Sequence, residues 1–191
     1  MSETRIPLTR STFFNEHVVK QRLVEFISSA QFLSMGEQCK RFEKAFTEFQ
    51  GQKHAVFVSS GSAANLLLVQ ALLNLGRLKP GDKVAVSALT WATNIMPLIQ
   101  LGLVPVLVDC ESEHFNMSSK TLSNVLDTLD ISACFITNLL GFCGDLDEIS
   151  RLCSERGIIL LEDNCESLGS RAFGKLLGNF GLASTFSFYV G

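Results

Sequence analysis

The chain has 191 residues, of which 47% are hydrophobic and 18% charged, and its formal net charge is −3. This composition excludes intrinsic disorder, and the length suits one domain with at most a short appendage. The basic residues form no polybasic run, so the sequence predicts neither a nucleic-acid partner nor an anionic membrane as partner.

The six cysteines indicate the redox compartment. They are scattered along the chain and form no CxxC pair, and the N-terminus does not read as a signal peptide. No apolar stretch reaches the ~20 residues needed to span a bilayer. We therefore expect a soluble cytoplasmic protein with reduced thiols.

Helical and strand periodicities alternate from residue 38 onward. The predicted helices cover residues 39–49, 62–75, 91–101, 119–129 and 145–155, and the predicted strands cover 54–58, 83–87, 104–109, 133–137 and 158–162. Pro97 should kink its helix or shift its start. Asp145 and Glu148 should form a capping box on the last helix. Short apolar strands alternating with helices predict an α/β fold with a mainly parallel sheet and helices on both faces.

Such sheets bind ligands at the carboxyl ends of their strands, and four places there carry polar residues. The first is the segment SSGSAAN at 59–65, which follows a strand and opens a helix. A glycine and free N–H groups at a helix start favour a phosphate. An ordinary serine N-cap explains the same residues. The segment matches neither GxGxxG nor a Walker A loop, which argues against dinucleotides and nucleoside triphosphates.

The second place is the end of the strand at 158–162, where Glu162 and Asp163 follow an apolar run. An acid there can hold a protonated ring nitrogen through a charge-assisted hydrogen bond. Alternatively, Asp163 caps the next turn. Because successive side chains of a strand alternate, we expect only one of the two carboxylates to point inward.

The third place is Trp91, the only tryptophan, which follows the strand at 83–87. Its ring can stack on a planar cofactor or belong to the core. The fourth is the strand-like segment 184–189, where alternation would put Thr185, Ser187 and Tyr189 on one side. Ser187 would give a hydroxyl to an anion there, and a plain edge strand is the alternative.

Other site chemistries have little support in the sequence. The three histidines are far apart and no cysteines are paired, so a zinc or copper site is not predicted. GxSxG is absent, so nucleophilic hydrolysis has no motif behind it.

Together the four places resemble the DegT/DnrJ-type sugar aminotransferase family. The resemblance covers most of the chain, from FLSMG at 32–36 through LGLVPVLVDC at 101–110 and LLEDNCESLGS at 160–170 to the last residue. It implies the large domain of fold type I enzymes that use pyridoxal phosphate. It divides the chain into an N-terminal arm with a helix at 1–37 and a truncated cofactor-binding large domain at 38–191, without the family's C-terminal domain.

The resemblance also assigns roles to individual residues. It places Gly61, Ser62 and Ala63 at the cofactor phosphate, Trp91 against the pyridine ring, Asp163 at the ring nitrogen and Ser187 as a further hydroxyl on the phosphate. Glu166 stands where many members have glutamine, near the phenolic oxygen of the cofactor. A second carboxylate there is expected to repel an anion unless one of the two is protonated.

The implied substrate is a nucleotide-linked keto sugar. Such sugars are intermediates in the synthesis of deoxy sugars and amino sugars for surface polysaccharides. One implied reaction is amino transfer. The other is removal of the C-3 hydroxyl from 4-keto-6-deoxyhexose nucleotides, the branch that EDNCESLGS and SFYVG resemble more closely. In that branch a histidine replaces the Schiff-base lysine. Either residue is expected at position 192, one past Gly191, and Lys175 is interpreted as a solvated loop residue.

The resemblance further implies a homodimer with active sites near the subunit interface. Fifteen phenylalanines in one domain are expected to leave apolar surface that needs a partner, so the isolated chain should be poorly soluble. Two other interpretations stay open at this point: a non-catalytic binding fragment, and a flavodoxin-like nucleotide-binding domain.

Overall fold

A computed structural model describes residues 13–189. The helices are α1 (Glu16–Ser29), α2 (Glu37–Gln50), α3 (Gly61–Asn74), α4 (Ala92–Gln100), α5 (Ser119–Leu126) and α6 (Leu146–Arg156), with a 3-10 turn at Leu139–Gly141. The strands are β1 (Lys83–Ser87), β2 (Val104–Val108), β3 (Ala133–Thr137), β4 (Ile159–Asp163), β5 (Arg171–Ala172), β6 (Lys175–Leu176) and β7 (Ala183–Thr185). The first twelve residues of the predicted arm and the last two of the predicted large domain lie outside the described range.

Five strands form one sheet in the order β2-β1-β3-β4-β7, and every neighbouring pair is parallel. The short strands β5 and β6 form a separate antiparallel hairpin. Because all five strands run the same way, their carboxyl ends meet at one edge of the sheet. The predicted fold class is confirmed.

Helices cover both faces of this sheet, and the strand residues alternate between two cores. Val84 and Val86 pack in one apolar cluster with residues of α3 and α4. Ala85, between them, belongs to the opposite cluster, which contains residues of α5 and α6. Both faces of each central strand are therefore buried, which explains why these strands are apolar at nearly every position.

The strand predicted at 54–58 does not form. Within residues 13–189 this segment has no backbone partner in another segment, and the N–H of Phe57 donates instead to Oε1 of Glu43 over 2.9 Å. Residues 53–60 and residues 182–189 both line a cavity of about 880 Å³. An apolar pattern favours an extended backbone, but a strand also needs a neighbour within hydrogen-bonding distance.

The capping box predicted for α6 is also wrong. The side chain of Asp145 makes no cap hydrogen bond. It accepts from the backbone N–H of Ser119 over 2.8 Å and from the Ser119 hydroxyl, so it ties the start of α6 to the start of α5. A tertiary contact thus replaces the local cap. Helix α5 itself is capped by Ser118 and ends three residues before the predicted end.

Helix α1 has no buried residue, although it carries several large apolar side chains. All six cysteines are free. Among residues 13–189, no helix combines the length and the apolar character that crossing a bilayer requires.

Candidate functional site

The predicted site residues lie around the carboxyl edge of the sheet, beside the first turns of α3 and α4. Hydrogen bonds and close contacts connect them in two groups. Gly61 lies directly against both Cys165 and Ser187, and the backbone N–H of Cys165 donates a hydrogen bond to Asp163. Trp91 and Tyr189 both contact Glu166. The structure thus brings together residues from all four places singled out in the sequence.

The glycine turn opens α3 and permits a close approach of backbone to side chain. Ser60 caps the helix, since its hydroxyl accepts from the N–H of Ala63 over 3.1 Å. A Cβ on Gly61 would lie 2.7 Å from Sγ of Cys165 and 2.9 Å from Cβ of Ser187. The backbone N–H groups of Gly61 and Ser62 have no partner within the described part of the chain. The turn is therefore both a serine cap and a place where free donors face an anion.

Asp163 is a buried carboxylate at the end of β4, with 2% of its surface exposed. Its Oδ2 accepts hydrogen bonds from the amides of Asn65 (2.9 Å) and Asn94 (2.8 Å). Its Oδ1 accepts from the backbone N–H of Cys165 over 2.9 Å, which caps the following turn. Across residues 13–189 no basic side chain forms an ion pair with it. Asp163 therefore caps the turn and is also a buried acid that no basic side chain of residues 13–189 pairs with.

Glu162 is buried on the opposite face of β4. Its Oε1 accepts from the backbone N–H groups of Phe180 (2.7 Å) and Gly181 (3.0 Å), and its Oε2 accepts from that of Gly178 (2.8 Å) and from the Asn138 amide (3.2 Å). The expectation that only one of the two neighbouring acids is inward is wrong, because helices and loops cover both faces of the sheet. Glu162 anchors the loop that leads into β7.

Glu166 accepts three hydrogen bonds in the turn after β4. The indole N–H of Trp91 and the hydroxyl of Tyr189 donate to Oε1 over 3.0 and 2.9 Å, and the backbone N–H of Leu140 donates to Oε2 over 3.1 Å. Partial burial and the contact with Glu166 raise the pKa of Tyr189 to about 12, so the phenol remains a donor at neutral pH. These donors satisfy the second carboxylate that the sequence left unexplained.

Trp91 is not a core residue. Its surface is 51% exposed, and it stands immediately before α4, where it is held by the bond to Glu166. A half-exposed indole at the ligand-binding edge of the sheet is available to contact a planar ligand.

The alternation predicted to put Thr185, Ser187 and Tyr189 on one side of a strand holds only as far as Thr185. Strand β7 ends there, so the alternation rule does not reach Ser187 or Tyr189, and Tyr189 has a φ of 54°. The Thr185 hydroxyl donates to Oδ1 of Asn65 over 2.7 Å inside the protein. Ser187 lies against Gly61, and its hydroxyl accepts from the N–H of Tyr189 over 3.1 Å.

The sequence reasoning missed three residues of this site: Asn65, Asn94 and Cys165. The two asparagines stand in apolar helices, and a buried amide requires hydrogen-bond partners, which was the available signal. Burial and the neighbouring Asp163 raise the pKa of the Cys165 thiol well above its usual range, so the thiol stays protonated. Among residues 13–189 no cluster of side chains is suited to hold a metal ion.

This arrangement suits a flat ligand with an anionic group at one end and a protonated ring nitrogen at the other. Gly61, Ser62 and Ser187 offer donors for the anion, and Trp91 offers a ring surface. Asp163 offers a carboxylate without an ion pair among residues 13–189. The residues present therefore fit pyridoxal phosphate.

Known proteins are similar to this chain in sequence and in fold. The model of the DegT/DnrJ/EryC1/StrS aminotransferase family matches residues 15–191. A GDP-4-keto-6-deoxy-D-mannose 3-dehydratase from Yersinia pseudotuberculosis is 39% identical over 183 residues, which cover 95% of this chain and 46% of that protein. A GDP-perosamine synthase from Vibrio cholerae is 32% identical over 170 residues, 89% of this chain and 45% of that protein.

The solved structures agree with these relatives. The E. coli GDP-4-keto-6-deoxy-D-mannose-3-dehydratase with bound hydrated PLP superposes with a TM-score of 0.86 at 39% identity, covering 95% of this chain and 46% of that one. The chain thus spans about half the length of the relatives that it matches. The family model covers nearly all of the chain, and the chain belongs to the DegT/DnrJ/EryC1/StrS aminotransferase family.

Proposed function

We propose that the whole protein containing this chain is a pyridoxal-phosphate enzyme that acts on a nucleotide-linked keto sugar. The observation that carries the proposal is Asp163, a buried carboxylate with three hydrogen-bond donors and no ion pair among residues 13–189, at the ligand-binding edge of the sheet. A buried anion of this kind suits a ligand that brings its own positive charge. Relatives named as GDP-sugar dehydratases and synthases supply the substrate class.

The contacts at the site support the following set of cofactor-binding residues. Ser187 and the free N–H groups of Gly61 and Ser62 would bind the phosphate, with Ala63 in the same helical turn. Trp91 would cover one face of the ring, and Asp163 would receive the ring N–H. Glu166 would lie beside the ring while it holds Trp91 and Tyr189 in place.

When bound, pyridoxal phosphate accepts electron density from a substrate carbon that loses a proton. The residues of this chain prepare that chemistry by orientation and electrostatics. With the cofactor bound, Asp163 would favour a protonated ring nitrogen by placing a carboxylate beside it. The protonated hydroxyl of Tyr189 keeps Oε1 of Glu166 occupied, and its raised pKa preserves that bond at neutral pH.

Removal of the C-3 hydroxyl from a 4-keto-6-deoxyhexose nucleotide is the reaction we favour. Relatives named as 3-dehydratases of such sugars are 38–39% identical to this chain. Amino transfer at the keto group is the second candidate, supported by GDP-perosamine synthases that are 32–33% identical. In the whole protein we expect histidine at position 192 for the first reaction and lysine for the second.

The test is product analysis with the whole protein. Pyridoxal phosphate, glutamate and GDP-4-keto-6-deoxymannose would be supplied, and the sugar nucleotide examined by mass spectrometry and proton NMR. Loss of the C-3 oxygen supports dehydration, and an amine at C-4 supports amino transfer. An unchanged sugar with bound cofactor would contradict both reactions. Asp163→Ala is the matched inactive control.

We further propose that residues 38–191 form the cofactor-binding large domain, that residues 1–37 form an N-terminal arm, and that helix α1 of this arm packs on a second copy in a cytoplasmic homodimer. Helix α1 supports this assignment, since Val24 and Ile27 are 62% and 50% exposed and no residue of the helix is buried. Apolar surface of this extent favours a protein partner. Six free thiols fit a reducing compartment.

A further inference from the structure

We propose that Asn65 and Asn94 are positioning residues that aim the carboxylate of Asp163 at the cofactor ring nitrogen, and that Pro97 supports this by releasing a carbonyl that holds Asn65. The inference rests on the proposed function, because it concerns the same pocket. It assigns a task to three residues that do not themselves contact the cofactor in the proposed site.

The two amides determine how the carboxylate of Asp163 is turned. Both donate to the same oxygen, Oδ2, over 2.9 and 2.8 Å, while Oδ1 takes the N–H of Cys165. A carboxylate with two donors on one oxygen and one on the other cannot rotate without breaking hydrogen bonds in a buried site. Oδ1, with a single donor, retains the acceptor capacity that a ring N–H would use.

Asn65 is itself held by three hydrogen bonds. One hydrogen of its amide nitrogen serves Asp163, and the other serves the carbonyl oxygen of Thr93 over 3.2 Å. Its Oδ1 accepts from the hydroxyl of Thr185 over 2.7 Å. Because both hydrogens and the oxygen are engaged in a fully buried side chain, the orientation of the amide is determined.

Pro97 explains why the Thr93 carbonyl is available. In an α-helix the N–H of residue i bonds to the carbonyl of residue i−4, and proline has no N–H. Pro97 lies inside α4, so the carbonyl four residues earlier, that of Thr93, has no helical donor from it. Asn65 of α3 takes that place. The proline predicted to disturb α4 thereby links it to the helix that carries the phosphate turn.

Asn94 shows that the pair is not arranged for stability alone. Its amide nitrogen donates to Asp163, but its Oδ1 is buried with no partner among residues 13–189. An unsatisfied buried acceptor is unfavourable, and an apolar side chain of similar size would avoid it. The position therefore carries a polar group at some expense to the fold, which is expected when the group serves the site.

The experiment compares two ligands on the whole protein: pyridoxal phosphate, and an analogue in which the ring nitrogen is replaced by carbon. Dissociation constants are read from the change in absorbance of each ligand on binding. The ratio of the two constants reports only the pairing of the ring nitrogen with Asp163. The ratio is the dissociation constant of the analogue divided by that of pyridoxal phosphate. Asn65→Ala and Asn94→Ala should each lower this ratio by about fivefold to tenfold and leave analogue binding nearly unchanged.

Pro97→Ala and Thr185→Val test the contacts that hold Asn65, in variants expected to keep α4 and β7 intact. Each should lower the ratio by a smaller factor, about twofold to threefold. Asn74→Ala, which changes an exposed amide on the same helix as Asn65, is the control and should leave both constants unchanged.

Three results would overturn the inference. If the wild-type protein binds both ligands with equal affinity, Asp163 does not pair with the ring nitrogen, although the protein still binds the cofactor. If the asparagine variants lose affinity for both ligands in parallel, or keep the wild-type ratio, the amides serve only the fold. If the wild-type protein binds neither ligand, the proposed function fails and this inference with it.

Discussion

The hydroxyl of Tyr189 donates a hydrogen bond to Oε1 of Glu166 over 2.9 Å, and the indole of Trp91 donates to the same oxygen over 3.0 Å. One carboxylate thus joins the turn after β4 to the segment before α4 and to the segment after β7. The two donors are the only tyrosine and the only tryptophan of the chain, so each can be followed spectroscopically without interference from other residues of its type.

We predict that Tyr189 titrates late. Its pKa is raised to about 12 from 10.0, first by partial burial and then by the bond to Glu166. Because the folded protein keeps this proton more tightly, the stabilising contribution is complete below pH 10.0 and is lost as the pH rises through about 12. Absorbance at the phenolate band should give the pKa directly. Glu166→Gln should lower it, and an unchanged value in that variant would contradict the assigned contact.

We predict that Gly61→Ala is destabilising. The new Cβ would lie 2.7 Å from Sγ of Cys165 and 2.9 Å from Cβ of Ser187, so α3 or its neighbours must shift. The expected loss is about 1–3 kcal/mol in the free energy of unfolding, measured with urea. Adding Cys165→Ala should recover part of it. Asn74→Ala, at an exposed position of the same helix, is the control and should change little.

We predict that Glu162→Gln destabilises the loop before β7. Three backbone N–H groups point at this buried carboxylate, and an amide in its place would put N–H groups against N–H groups or leave donors unpaired. The expected loss is about 2–4 kcal/mol on urea unfolding. Glu155→Gln, at an exposed ion pair with Arg151, should alter the same measurement by less than about 1 kcal/mol. Equal losses of stability in the two variants would contradict the anchoring role of Glu162.

We predict that pyridoxal phosphate quenches tryptophan fluorescence in the whole protein and that Trp91→Phe removes part of this quenching. The indole is half exposed at the ligand-binding edge of the sheet, and ring contact with a conjugated ligand quenches it. Asp163→Asn, which keeps the shape but not the charge, should weaken binding about tenfold or more. Pyridoxal, which lacks the phosphate, should bind much more weakly than pyridoxal phosphate. Equal affinity for the two would contradict the role of the glycine turn.

We predict that the isolated 191-residue chain self-associates. Large apolar side chains on α1 are exposed, as are Phe32 and Val56 at 74% and 79%. Apolar surface of this extent favours association with other chains. Sizing chromatography at two protein concentrations is the measurement. A monodisperse monomer at both would refute the prediction.

Much of the fold was predictable because a strand that is buried on both faces has a recognisable apolar sequence pattern. The strands β1, β2, β3 and β4 have 5 residues each, of which at least three in every strand are apolar, and such segments between helices indicate a covered parallel sheet. The segment 54–58 shows the same kind of pattern and forms no strand, because its pairing depends on a neighbour that local sequence does not encode. Asp145 departs from its predicted cap for the same reason, since Ser119 is remote in sequence.

The sequence by itself determined the layered α/β class, the glycine turn at Gly61 and the acid at Asp163, because each depends on local backbone geometry and hydrophobic period. Only the tertiary structure decided the surroundings of that acid: two amides from neighbouring helices, a carbonyl released by Pro97, and a second carboxylate satisfied by Trp91 and Tyr189. Hydrogen bonds between residues tens of positions apart depend on how helices cross a sheet. That crossing is set by the packing of the whole domain and by no single segment.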